Sequence, residues 1–114
     1  TMSQHYFETH HKGFPITIML GWDRPMQHFF LVIKKPTELI GDPNYVYDDE
    51  VLYSNLYDTN AFGHDLEYFG EVLRHFQIVV PASMFVQVLR DSLRNIGNRV
   101  VKHEADGSFA ELGA

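Results

Sequence analysis

The chain has no cysteine. Disulfide staples, thiolate metal sites and cysteine nucleophiles are therefore excluded. Its glycines occur one at a time, so there is no glycine-rich loop to cradle a phosphate. A Gly-x-Ser-x-Gly elbow and a His-Glu-x-x-His helix motif are both missing. No apolar run approaches the ~20 residues that a membrane-spanning helix needs. The opening Thr-Met-Ser-Gln-His-Tyr has neither a basic region nor an apolar run. No signal peptide is expected, and a cytoplasmic address follows.

The most biased absence is of positive charge. Between Pro36 and Leu73 there is no lysine or arginine, yet this stretch holds nine carboxylates: Glu38, Asp42, Asp48, Asp49, Glu50, Asp58, Asp65, Glu67 and Glu71. It contributes −9 to a net charge of −6, which leaves the rest of the chain near +3. A one-sided charge attracts basic partners and repels nucleic-acid phosphates. Tyr45, Tyr47, Tyr53 and Tyr57 are interleaved with Asp48, Asp49, Glu50 and Asp58. Tyrosine offers rigid contact area plus a hydroxyl, and neighbouring carboxylates can steer a basic partner. These eight residues form the candidate partner-binding surface. The competing explanation is a solvated sheet edge whose charge serves solubility.

With 114 residues, 45% apolar and 14% aromatic, the chain is expected to fold as a single domain over residues 1–114. Tyr6 to His10 alternates like a short strand and meets a turn at Lys12-Gly13. Pro15 to Trp22 places Ile16, Ile18, Leu20 and Trp22 on one face. Asp23-Arg24-Pro25 has turn chemistry, and Gln27 to Lys35 returns with Phe29, Leu31 and Ile33 on one face. Val51 to Tyr57 reads as extended, with Leu52 and Leu56 inward. From Leu66 the period becomes helical, with Leu66, Phe69, Val72, Leu73 and Phe76 inward. A second helix opens at Pro81 or Ser83, carries the stripe Phe85, Val88, Leu89, Leu93 and Ile96, and stops at Gly97-Asn98. Arg99 to Glu104 reads as a last strand, which Asp106-Gly107 can fold back into a hairpin; the competing reading is a frayed tail. The expected fold is α+β: an antiparallel sheet of three to five strands, with two consecutive helices on one face and a C-terminal β-hairpin.

Other candidate chemistry is thin. His5, Glu8, His10 and His11 lie close in sequence, but strand alternation sends His5 and His11 one way and Glu8 and His10 the other. His64 and His75 are about three helical turns apart. No cofactor or metal is expected. Arg90, Arg94, Arg99 and Lys102 form a cationic group that Asp91 dilutes, so direct nucleic-acid binding is not expected. Met19, Phe30 and Val32 make the second sheet face apolar as well. Two helices cover only one face, and a homodimer is the expected remedy. No catalytic signature points to an enzyme. The preferred reading is a non-enzymatic interaction or regulatory module with a basic protein partner and no membrane association. The alternatives are an acidic DNA mimic that inhibits a nucleic-acid-binding protein, and a small histidine-based metal protein or enzyme.

Overall fold

The computed structural model describes residues 1–35 and 51–112. They form an α+β fold in the order β1 (Met2–His11), β2 (Phe14–Asp23), β3 (His28–Lys34), β4 (Val51–Ser54), a 3-10 turn (Asn55–Tyr57), α1 (Leu66–His75), α2 (Ala82–Arg94), β5 (Arg99–His103) and β6 (Phe109–Glu111). The strands make one six-stranded sheet ordered β4-β3-β2-β1-β5-β6.

The β1–β2–β3 meander follows from local chemistry. Lys12 and Gly13 both adopt positive φ, the two-residue turn whose twist matches an antiparallel hairpin. Asp23 Oδ1 accepts the Met26 backbone N–H at 3.0 Å and closes the next turn. Alternation then places Phe7, Ile16, Ile18, Leu20, Leu31 and Ile33 on one buried face. On the opposite face Met19 and Val32 are half-buried, and Phe30 is buried with its ring over Gly21. A Cβ at Gly21 would overlap that ring and the Ser3 carbonyl, so only glycine fits this close approach.

The expected antiparallel sheet of three to five strands needs correction: the sheet is mixed and has six. The chain leaves β4 at one edge, runs through both helices and re-enters beside β1, where β5 pairs in parallel. This crossover makes β1 a central strand and turns β5–β6 into an extension beyond it. The Asp106-Gly107 hairpin does form, with Gly107 at positive φ and Glu104 N–H donating to Ser108 O at 2.9 Å.

Both helices pack on the Ile18/Leu20/Leu31/Ile33 face through Phe69, Leu73, Met84 and Val88. Asp65 caps α1, accepting the Tyr68 N–H at 2.9 Å. Pro81 occupies the cap position of α2 without a side-chain bond. α2 ends at Asn95 in the left-handed conformation, two residues before the expected stop at Gly97-Asn98. Asn95 Oδ1 accepts from Trp22 Nε1 at 3.2 Å and Gln27 Nε2 at 2.7 Å, pinning that helix end to the β2–β3 turn. Two inward assignments are also corrected. Leu56 is exposed, because the strand stops at Ser54 and the 3-10 turn rotates it outward while Tyr53 is buried. Leu89 and Leu93 are exposed too, since α2 buries Met84, Val88 and Asp91 instead.

Candidate functional site

Of the eight candidate partner-binding residues, Tyr45, Tyr47, Asp48, Asp49 and Glu50 lie outside the described residues. Tyr53, Tyr57 and Asp58 lie at the sheet edge where β4 runs into the 3-10 turn. Tyr53 is buried, and its hydroxyl donates to Asp58 Oδ2. Asp58 Oδ2 also sits 3.1 Å from His64 Nε2. The His64 ring stacks flat on Tyr68, with centroids 3.7 Å apart. Asp58 thus lies between the end of β4 and the start of α1, but its approach to His64 is one of proximity: the buried His64 Nε2 makes no hydrogen bond. Buried Asn55 fixes the segment in between: its Oδ1 accepts from Leu31 N–H at 3.3 Å and its Nδ2 donates to Ala61 O at 2.9 Å.

This scaffold holds an apolar surface that alternation in the sequence did not reveal. Leu56, Tyr57, Phe62 and Tyr68 are between 40% and 66% exposed. Phe62 leans on His28 with ring centroids 4.7 Å apart. Residues 51–73 carry Asp58, Asp65, Glu67 and Glu71 and no lysine or arginine. The four carboxylates do different jobs. Asp58 is bound by Tyr53, Asp65 caps α1, Glu71 pairs with Arg74 on its own helix, and Glu67 faces solvent in the first turn. Among the described residues the acids do not form a bare row, and the rings supply most of the contact area. The signal for Phe62 and Tyr68 was available in the sequence as aromatic residues beside Asn-Ala-Phe-Gly loop chemistry. Only the fold shows that they point outward.

A second polar constellation is internal. The parallel β1–β5 register sets Ser3 opposite Arg99, His5 opposite Val101 and Phe7 opposite His103. Below α2 this brings together residues almost a full chain length apart. Ser83 Oγ lies 3.1 Å from His103 Nδ1, His103 Nε2 lies 2.8 Å from His5 Nδ1, and His5 Nε2 lies 2.7 Å from Asp91 Oδ2. Arg99 donates from Nη1 to Asp91 Oδ1 at 2.7 Å, from Nη2 to Gln87 at 3.1 Å and from Nε to Glu111 at 2.6 Å. Asp91 is a pure acceptor. When both imidazoles are neutral it therefore dictates a single direction: His5 Nε2–H to Asp91, His103 Nε2–H to His5 Nδ1, Ser83 O–H to His103 Nδ1.

The order serine, histidine, histidine, aspartate resembles a nucleophile relay, but its setting is that of an internal brace. His5, His103 and Asp91 are buried. The open groove of about 1020 Å³ beside them is lined by Gln87, Arg90, Asp91, Arg99, Phe109 and Glu111, and neither Ser83 nor His103 reaches it. Burial raises the Asp91 carboxyl, but hydrogen bonds from His5, Arg99 and Ser3 outweigh that and hold it below the ordinary range. Burial, with His5 and Arg99 adjacent, pushes His103 down to about 4. No group of three or more histidine, aspartate or glutamate side chains among the described residues is placed to hold a metal ion.

The His103 shift gives stability a defined pH dependence. In the unfolded chain the imidazole takes a proton near 6.5; in the native state it does so only near 4. Between these values the unfolded chain binds more protons, so stability rises with pH. It is complete above about pH 6.5 and falls by about 2–3 kcal/mol as pH drops through 4. The lowered Asp91 carboxyl adds a further loss below that point. Urea midpoints measured from pH 4 to 7.5 should climb across this window, and a flat series would contradict the buried neutral imidazole.

No protein-family model, curated protein or solved structure matches the chain. The functional reading therefore stands on geometry. No helix among the described residues is long and apolar enough to cross a membrane.

Proposed function

We propose that the protein is a non-enzymatic interaction module that presents the acidic, aromatic segment from Leu56 to Tyr68 to a basic protein partner. The observation that carries this reading is the exposure of Leu56, Tyr57, Phe62 and Tyr68 on a stretch of chain without a lysine or arginine. Large apolar side chains held out by a rigid frame are what interface anchors are made of. Here the frame is the Tyr53–Asp58–His64–Tyr68 chain and the Asn55 clamp. Carboxylates around the anchors favour Lys- or Arg-bearing surfaces and speed encounter without supplying most of the affinity.

The test is co-purification from the source cells with three versions of the protein. Tyr57→Ala combined with Phe62→Ala should reduce partner retention by about 30-fold or more, as loss of two anchors at ~1–2 kcal/mol each implies. Charge reversal at Asp48, Asp49 and Glu50 to lysine should weaken capture most at low salt. Because Tyr57 and Phe62 are exposed, the alanine pair should leave the urea midpoint nearly unchanged. A partner retained equally by wild type and both variants rules the proposal out.

A further inference from the structure

α2 has two apolar stripes, and only one faces the core. Met84 and Val88 are buried. Ala82, Val86, Leu89 and Leu93 form the other stripe, at spacings of four, three and four residues. The three larger ones are 46–78% exposed. On the α1 side the stripe continues into a groove of about 440 Å³ lined by Leu66, Gly70, Phe85, Val86 and Leu89, with Glu67 and Arg74 at its rim. The spacing is that of a helix-pair seam, with Val86 and Leu93 in one class of position and Ala82 and Leu89 in the other.

Charge is arranged across this face from side to side. At about 100° per residue, Arg90 and Arg94 fall on the flank of α2 away from α1. Both are exposed, and neither makes an ion pair among the described residues. The opposite flank is α1, whose exposed charges are Glu67, Glu71 and Arg74; Arg74 pairs with Glu71, so Glu67 supplies the net negative charge. The order is acid, apolar seam, base.

We infer that this face binds a second copy of the chain, with the two α2 helices parallel about a two-fold axis that runs along them. A two-fold interface must be self-complementary. An axis parallel to α2 exchanges the two flanks, so Arg90 and Arg94 of one copy meet Glu67 and Glu71 of the other. An axis perpendicular to α2 in the interface plane would set arginine against arginine. The charge order therefore selects the parallel arrangement, and the valine–leucine alternation suits a parallel pair. The two-helix layer measures about 20 × 20 Å, from 1.5 Å rise per residue and a ~10 Å helix diameter. At about 400 Å² per copy, or ~800 Å² in total, the contact is below the ~1,200 Å² at which stable specific interfaces begin, so the dimer is a weak, transient one that associates in the submillimolar range. This surface adjoins the one proposed for the basic partner and shares Leu66 and Glu67 with it, whereas Tyr57 and Phe62 lie outside the groove.

The absence of cysteine makes the experiment clean. Single variants Ala82→Cys and Leu93→Cys are oxidised mildly at about 200 µM. Parallel helices bring position 82 to 82 and 93 to 93, so each variant cross-links with itself. An antiparallel pair would join 82 to 93 only in a mixture and would overturn the assignment. Sedimentation of wild type over 10–500 µM should show a rise toward dimer mass. Arg90→Glu with Arg94→Glu should weaken dimerisation about tenfold, and so should Glu67→Lys with Glu71→Lys. An equimolar mixture of these two variants should associate at least as well as wild type, since every facing pair is again opposite in sign. Monomer mass throughout, with no cross-link at 82 or 93, overturns the inference, as does a mixture no tighter than either variant alone.

Discussion

Asp91→Ala is expected to destabilise the protein by about 3–5 kcal/mol, a large share of the ~5–15 kcal/mol that holds a domain of ordinary size together. The carboxylate is buried and receives bonds from His5, Arg99 and Ser3. Removing it leaves the Arg99 guanidinium with only the exposed Glu111 as its anion, an imidazole N–H without an acceptor and a cavity. Each of these costs about 1–3 kcal/mol. The double variant Asp91→Ala/Arg99→Leu should recover part of the loss, because it withdraws a cation left with only the exposed Glu111 as its anion. Urea unfolding at pH 7 measures both. A loss below about 1 kcal/mol for the single variant would mean that the network is decorative.

Phe69→Ala should cost about 3–5 kcal/mol by a different route. Phe69 has no exposed surface and is the largest fully buried side chain. Together with Leu73 it is what α1 commits to the core. α1 has only ten residues, too few to persist in water without packing. Its ring also lies edge-on to His64 and Tyr68, with centroids 5.8 and 6.0 Å away. Truncation should therefore loosen the Asp58–His64–Tyr68 joint. Amide exchange in residues 58–76 should rise more than in β1–β3. Equal protection across the molecule after the substitution would show that α1 is held by something other than this ring.

How much was legible in the sequence can be judged from particular residues. Alternation from Ile16 to Ile33 located the central hairpin, because a half-buried strand repeats every two residues. Lys12-Gly13 and Asp106-Gly107 announced their turns through the backbone angles they require. The inward stripe of α1 was also visible, from Leu66 to Phe76. The α2 stripe was misassigned because the helix has two apolar stripes, and periodicity favours the one with more leucine. The true core stripe contains Asp91, which pattern reading takes for a surface residue. Its burial is compensated by Arg99 and His5, and nothing local to Asp91 announces residues that far away. The parallel β1–β5 pairing was hidden for the same reason, since turn chemistry specifies only neighbours. Among the candidate interaction residues, Tyr57 and Asp58 lie at the sheet edge. Tyr53 proved to be a buried support, Phe62 was missed because outward orientation on a loop leaves no periodic trace, and Tyr68 lies off the inward stripe of α1 without any signal that marks it as a contact residue.

β1 occupies the middle of the sheet, yet one of its two neighbours, β5, follows both helices in the chain. At roughly 5–20 residues per second, the ribosome leaves that flank of the nascent chain unpaired for several seconds after the first hairpin has emerged. Throughout that interval His5 has neither Asp91 nor His103 to bond, and an open hydrogen-bonding edge is available to strangers. Final closure therefore waits on synthesis of residues 99–103. Molecules cut short before residue 99 should be the ones that aggregate or are handed to the degradation machinery.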